Sequence, residues 1–167
     1  MKASVSDHTA RMSHPIVGHI HLTVANLERS VAFYRDLLGF EITARYGTSA
    51  VFLSSGGYHH HIGLNTWNGV NAKPVPRGHT GMYHVAFLYP DRKSLANVLK
   101  RLAAAEYPLE GVADHGVSEA VYLRDPDDNG VEIYVDRPKD QWNVSNDGMV
   151  EMVTKPLDID DLLAQAD

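Results

Sequence analysis

Glu132, His19 and His84 are the residues whose type and setting can do chemistry in this chain. The run Asp125-Pro126-Asp127-Asp128-Asn129-Gly130 reads as a tight turn, with Gly130 expected to take positive φ. After it, Val131, Ile133 and Val135 alternate with Glu132, Tyr134 and Asp136, which is strand period. Glu132 therefore points to the face opposite three apolar neighbours. A carboxylate held on a strand just past a rigid turn is well placed to be a metal ligand. His19 and His84 stand in matching strand contexts upstream. The chain has no cysteine, so disulfides and thiolate ligands are excluded, and a metal must sit on His, Asp, Glu or Tyr.

Those side chains need elements to hold them. Ile16–Val24 reads as a strand, with Ile20, Leu22 and Val24 on one face and His19, His21 and Thr23 on the other. Asn26 is the expected N-cap of a helix whose apolar stripe is Leu27, Val31, Tyr34, Leu37 and Leu38, and Gly39 its stop. Strands follow over 40–46, 50–54 and 59–65. Residues 66–81, rich in Gly, Pro and Asn, form a connector. The pattern then repeats. Tyr83–Tyr89 is a strand, and Asp91 caps a helix with Leu95, Val98, Leu99 and Leu102 on its apolar side. Further strands are expected over 111–114, 119–124 and 131–136.

The organisation is an internal duplication, β-α-β-β-β twice, with His19 and His84 65 residues apart. A chain of 167 residues can bury one real core, and two such modules packed together can share it. Residues 1–15 are read as a flexible leader, and 137–167 as a tail ending in a short amphipathic helix with Ile159, Leu162 and Leu163. A net charge of −6 argues against a nucleic-acid partner. No apolar run reaches membrane-spanning length, and the start lacks a secretory pattern, so the cytoplasm is the expected compartment.

Residues 16–136 resemble the vicinal oxygen chelate superfamily of extradiol dioxygenases, glyoxalase I, fosfomycin-resistance thiol transferases, methylmalonyl-CoA epimerase and bleomycin-binding proteins. The matching stretches are His19–Phe40, His84-Val85-Ala86-Phe87 and Asp125–Glu132. Within the superfamily the chain looks most like catechol 2,3-dioxygenase-type proteins, through Tyr58–Trp67, Pro90–Lys93 and Asp114–Tyr122. The resemblance implies an α+β fold in which module one (16–66) and module two (82–136) form one eight-stranded, cup-shaped mixed sheet around a metal site.

Carried over residue by residue, the family's ligand positions fall on His19, His84 and Glu132, and the fourth falls on Gly63, which cannot ligate. Two His and one carboxylate make the facial triad of non-haem Fe(II) oxygenases, and Mn(II) suits the same set. Glyoxalase I and the epimerase look like four-ligand members, so Gly63 counts against both. The resemblance places a His beside the O₂ site, falling on His60 with His61 as the alternative one residue on, since a one-residue slip flips the face. Tyr122, ten residues before Glu132, matches an active-site Tyr that hydrogen-bonds the substrate oxygen. His115 would serve as a second acid or hydrogen-bond donor. The family often has Gly where Asp128 stands.

The expected function is Fe(II)-dependent extradiol cleavage of a catechol-type diol with O₂. The alternatives are a thiol transferase or glyoxalase-like lyase on the same cup, or a non-catalytic protein that binds an aromatic drug. Many catechol dioxygenases carry two cups per chain and one is seen here, so a homodimer or the tail is expected to close the pocket.

Overall fold

The computed structural model describes residues 14–167, so the expected leader lies, apart from His14 and Pro15, outside the described residues. Two compact units divide between Pro74 and Val75, and the tail belongs to the second. No helix among the described residues is long and apolar enough to cross a membrane.

Unit one contains β1 (Ile20–Thr23), α1 (Leu27–Ala32), β2 (Glu41–Tyr46), β3 (Ala50–Ser54) and β4 (Ile62–Asn65). Its sheet has the order β1-β4-β3-β2, with β1 parallel to β4 and the other pairs antiparallel. Asn26 Oδ1 accepts from Arg29 N–H at 3.0 Å, as an N-cap should. The α-helix is shorter than its periodicity predicts. Phe33–Leu37 widens into a π-helical turn, with Leu38 N–H reaching back to Phe33 O, and Gly39 ends it at φ 89°. Leu27, Val31, Phe33 and Tyr34 are buried with Val51, Leu53, Ile62 and Leu64 from β3 and β4.

Unit two contains β5 (Val85–Leu88), α2 (Arg92–Ala104), β6 (Leu109–Asp114), β7 (Ser118–Arg124), β8 (Gly130–Asp136) and α3 (Ile159–Leu163). Its order, β5-β8-β7-β6, repeats that of unit one, with β5 parallel to β8. The eight expected strands are all present, as two four-stranded mixed sheets. Asp91 Oδ1 caps α2 by accepting from Ser94 N–H at 2.7 Å. The helix buries Leu95, Val98, Leu99 and Leu102, and α3 packs on it through the fully buried Leu162.

A charged clamp ties these pieces together. Glu119 on β7 is 5% exposed and sits between Arg92 Nε at 2.7 Å and Arg137 Nη2 at 2.8 Å. Arg92 also holds Asp161 of α3 at 2.8 Å, and Arg137 holds Asp114 of β6 at 2.9 Å. A buried carboxylate held this way is satisfied, and removing either guanidinium would leave it costly. The tail adds a short antiparallel bridge, in which Asp114 and Lys155 exchange both backbone hydrogen bonds at 2.9 Å.

β1, β4 and β5 start later than expected. His19 and His84 lie one residue before β1 and β5, and His59, His60 and His61 precede β4. These histidines sit where the chain enters each sheet.

Candidate active site

The turn before β8 is built around the buried Asp125. Its Oδ1 accepts from the backbone N–H groups of Asp127 and Asn129, and its Oδ2 from Asn129 Nδ2, all at 2.9 Å. The left-handed residue is Asp128, at φ 66°. Gly130 is not left-handed and is required for a different reason. A Cβ there would lie 2.1 Å from Tyr83 O and 3.0 Å from His84 Cβ. Gly130 thus lets β8 approach the backbone that carries His84, and Glu132 follows two residues on.

The result is a polar constellation within unit two. His84 Nε2 lies 3.0 Å from Glu132 Oε2, with the Glu132 side chain 12% exposed. Tyr122 faces Glu132 across the β7–β8 ladder, its hydroxyl 3.4 Å from Glu132 Oε1. The same hydroxyl lies 2.6 Å from His115 Nε2, and His115 Nδ1 lies 2.8 Å from the Val153 carbonyl oxygen. Burial, followed by the nearby Glu132 charge, pushes the Tyr122 phenol up to about 12, so it keeps its proton across the neutral range. A cleft of about 500 Å³ opens beside these groups, lined by Tyr83, His84, Tyr122 and Arg124 among others.

Unit one brings together a set of rings. The His19 and His60 rings lie 4.5 Å apart, and His60 stands 5.0 Å from Phe52. Burial, then the neighbouring imidazoles of His19, His59, His21 and His61, holds His60 below the usual histidine range and therefore neutral. His61 is turned elsewhere. Its Nδ1 accepts from Ser55 N–H at 3.2 Å and lies 3.1 Å from Ser54 Oγ, so the ring is tied to the turn after β3. The structure thus places His60 against His19 and His61 in the hairpin. The backbone of His61 still matters, because its carbonyl accepts from Ile20 N–H at 2.9 Å and fixes the chain next to His19.

His21 is a residue that sequence reasoning passed over. It pairs in register with Gly63, and a Cβ on Gly63 would lie 2.8 Å from the His21 ring. That ring stands 5.3 Å from Trp67 and 5.8 Å from Phe52, and burial with the nearby His19 holds it below its ordinary range. The available signal was its position two residues after His19, on the same strand face. Val153, the other contributor, offers only a backbone carbonyl and leaves no trace in residue type.

Within either unit, no three His, Asp or Glu side chains gather as a metal-holding group among the described residues. Unit two supplies an imidazole and a carboxylate 3.0 Å apart, a donor pair that suits a divalent metal of the Fe(II) or Mn(II) kind. In unit one, His19 is exposed.

Comparison with known proteins bears on this arrangement. The family model described as Glyoxalase/Bleomycin resistance protein/Dioxygenase superfamily matches residues 16–133. A catechol-2,3-dioxygenase of Bacillus subtilis (strain 168) is 39% identical over 151 residues, which is 90% of this chain and 52% of that protein. A manganese-dependent 2,3-dihydroxybiphenyl 1,2-dioxygenase of Geobacillus genomosp. 3 is 29% identical over 127 residues, 73% of this chain and 38% of that one. The chain thus spans about half the length of the first curated relative and less of the second. Among solved structures, the lactoylglutathione lyase from Agrobacterium tumefaciens superposes with a TM-score of 0.56 at 27% identity, covering 74% of this chain and 96% of that one.

Proposed function

Because the chain belongs to the Glyoxalase/Bleomycin resistance protein/Dioxygenase superfamily, we propose that it is a metal-dependent extradiol dioxygenase cleaving a catechol-type aromatic diol with O₂. The observation that carries this reading is the His84–Glu132–Tyr122 constellation beside a cleft in unit two. The 39% identity to a catechol-2,3-dioxygenase supports it. His19, His84 and Glu132 are the residues that would hold the metal, Fe(II) first and Mn(II) as the alternative. Bound there, the metal would supply a Lewis acid for two vicinal oxygens and electron density for O₂.

The chain's own residues handle binding and protons. Tyr122 remains a phenol at neutral pH and offers its oxygen within the cleft as a hydrogen-bonding partner for a substrate hydroxyl. His60 is neutral and can take up a proton as the diol ionises. A four-ligand lyase finds Gly63 where a ligand is needed, and the His21 ring occupies that space. The expected setting is the cytoplasm, and the expected assembly a symmetric homodimer.

The test is oxygen uptake by protein loaded anaerobically with Fe(II), or in parallel with Mn(II), and given catechol and substituted catechols. Uptake with a yellow ring-cleavage product, abolished in His84→Ala, is the expected result. One tightly bound metal per chain with no uptake on any catechol would sink the reading.

A further inference from the structure

The C-terminal segment enters the candidate site through a single atom. Its course is set by two anchors. Near Val153, the backbone pairs with the end of β6: Val153 N–H donates to His115 O at 3.2 Å, and Lys155 N–H to Asp114 O at 2.9 Å. Further on, α3 is held by Leu162 and by the Asp161–Arg92 ion pair. At the first of these anchors, the Val153 carbonyl oxygen lies 2.8 Å from His115 Nδ1.

Elementary hydrogen-bond chemistry then fixes what His115 does. A carbonyl oxygen only accepts, so Nδ1 must carry a proton. In the neutral imidazole the other nitrogen is then bare, and Nε2 accepts. Its partner, 2.6 Å away, is the Tyr122 hydroxyl, which must donate to it. Glu132 Oε1, at 3.4 Å, is the more distant acceptor. With its proton spent on His115, the Tyr122 oxygen keeps its lone pairs for another group.

We propose that the C-terminal segment is a positioning element of this site. Through the Val153 carbonyl it sets His115 as the Nδ1–H tautomer, turns Tyr122 toward His115 as a donor, and so presents the Tyr122 oxygen to the substrate as an acceptor. This reverses the role expected of His115, which becomes a proton acceptor within the site. The consequence for catalysis rests on the dioxygenase reading, whereas the tautomer does not.

The test is a long-range ¹H–¹⁵N correlation spectrum of the full-length protein at neutral pH. His115 is assigned by its disappearance in His115→Gln. The expected spectrum shows a protonated Nδ1 and a bare Nε2 for this residue. An Nε2–H tautomer, or an imidazolium protonated at both nitrogens, would overturn the proposal. Val153→Pro removes the N–H that ties the segment to His115 O. It is expected to mix the two tautomers and to lower kcat for catechol by up to about a hundredfold, the low end of what a positioned acid–base group contributes, with KM little changed. An unmixed Nδ1–H spectrum in a folded Val153→Pro would also overturn it. If the wild-type spectrum is as expected but no catechol is cleaved, the positioning inference stands and the dioxygenase reading falls.

Discussion

Modules one and two place different residues on one backbone plan. In each, the strand entered by a histidine runs parallel to the last strand of its sheet. Two residues after His84, Ala86 pairs with Glu132, which in turn faces Tyr122. At the corresponding positions of unit one, His21 pairs with Gly63, and Gly63 faces Phe52. The small residue and the functional side chain have exchanged strands. Module two sets a carboxylate and a phenol over an alanine, and module one sets an imidazole and a phenyl ring over a glycine. The repeat fixes where side chains emerge, and local size complementarity decides which strand fills the space. Gly63 therefore leaves no gap, because the His21 ring lies where a side chain on residue 63 would begin.

The sharpest way to break this comparison is to make module one copy module two. The double substitution His21→Ala with Gly63→Glu is expected to bind divalent metal at least as tightly as wild type, read by elemental analysis. It should lose oxygen uptake by about a hundredfold or more, since a carboxylate would occupy a position a substrate oxygen needs. Wild-type turnover in that variant would show that position 63 does not face the metal.

A smaller effect is expected one strand further in. Tyr122→Phe should lower kcat by about a hundredfold with an unchanged melting temperature. Phe52→Tyr, its mirror in module one, should leave kcat within a small factor. Equal losses would mean that the two modules contribute alike.

The smallest effect separates the two glycines. Gly130→Ala drives a methyl against a backbone carbonyl and should cost about 3 kcal/mol in urea unfolding. Gly63→Ala meets only a side-chain ring and should cost about 1 kcal/mol. The opposite ranking would break the account of why each is glycine.

The duplication, strand count and helix caps were legible in the sequence because period and capping chemistry are local. Asn26 and Asp91 do what their residue types predict. The π-helical turn over Phe33–Leu37 was not legible, since its residues fit helical period equally well. Gly130 was read as a turn glycine, but the requirement comes from Tyr83, a residue remote in sequence. The division between His60 and His61 was open for a similar reason. Both precede β4, and a hydrogen bond from Ser55, a contact that residue type does not announce, ties the His61 ring to the turn after β3. The polarity of His115 depends on a carbonyl 38 residues away, and a single two-residue bridge carries no periodic signature.

The Arg92–Glu119–Arg137 clamp has a consequence for how this protein comes apart. Arg92 joins α3 to the strand that bears Tyr122, so lifting the last helix away breaks the Arg92–Asp161 pair and uncovers Leu162, while Glu119 keeps both of its guanidinium partners. The hairpin before it is exposed at its tip, where Gly148 N–H closes a turn on Ser145 O. A protease cutting that tip would sever the chain and still leave the segment from Val153 onward held by its bridge to β6 and by Leu162. The end of the polypeptide then behaves as a ligand that the protein carries for itself, with an affinity of its own and an exchange rate that can be clocked.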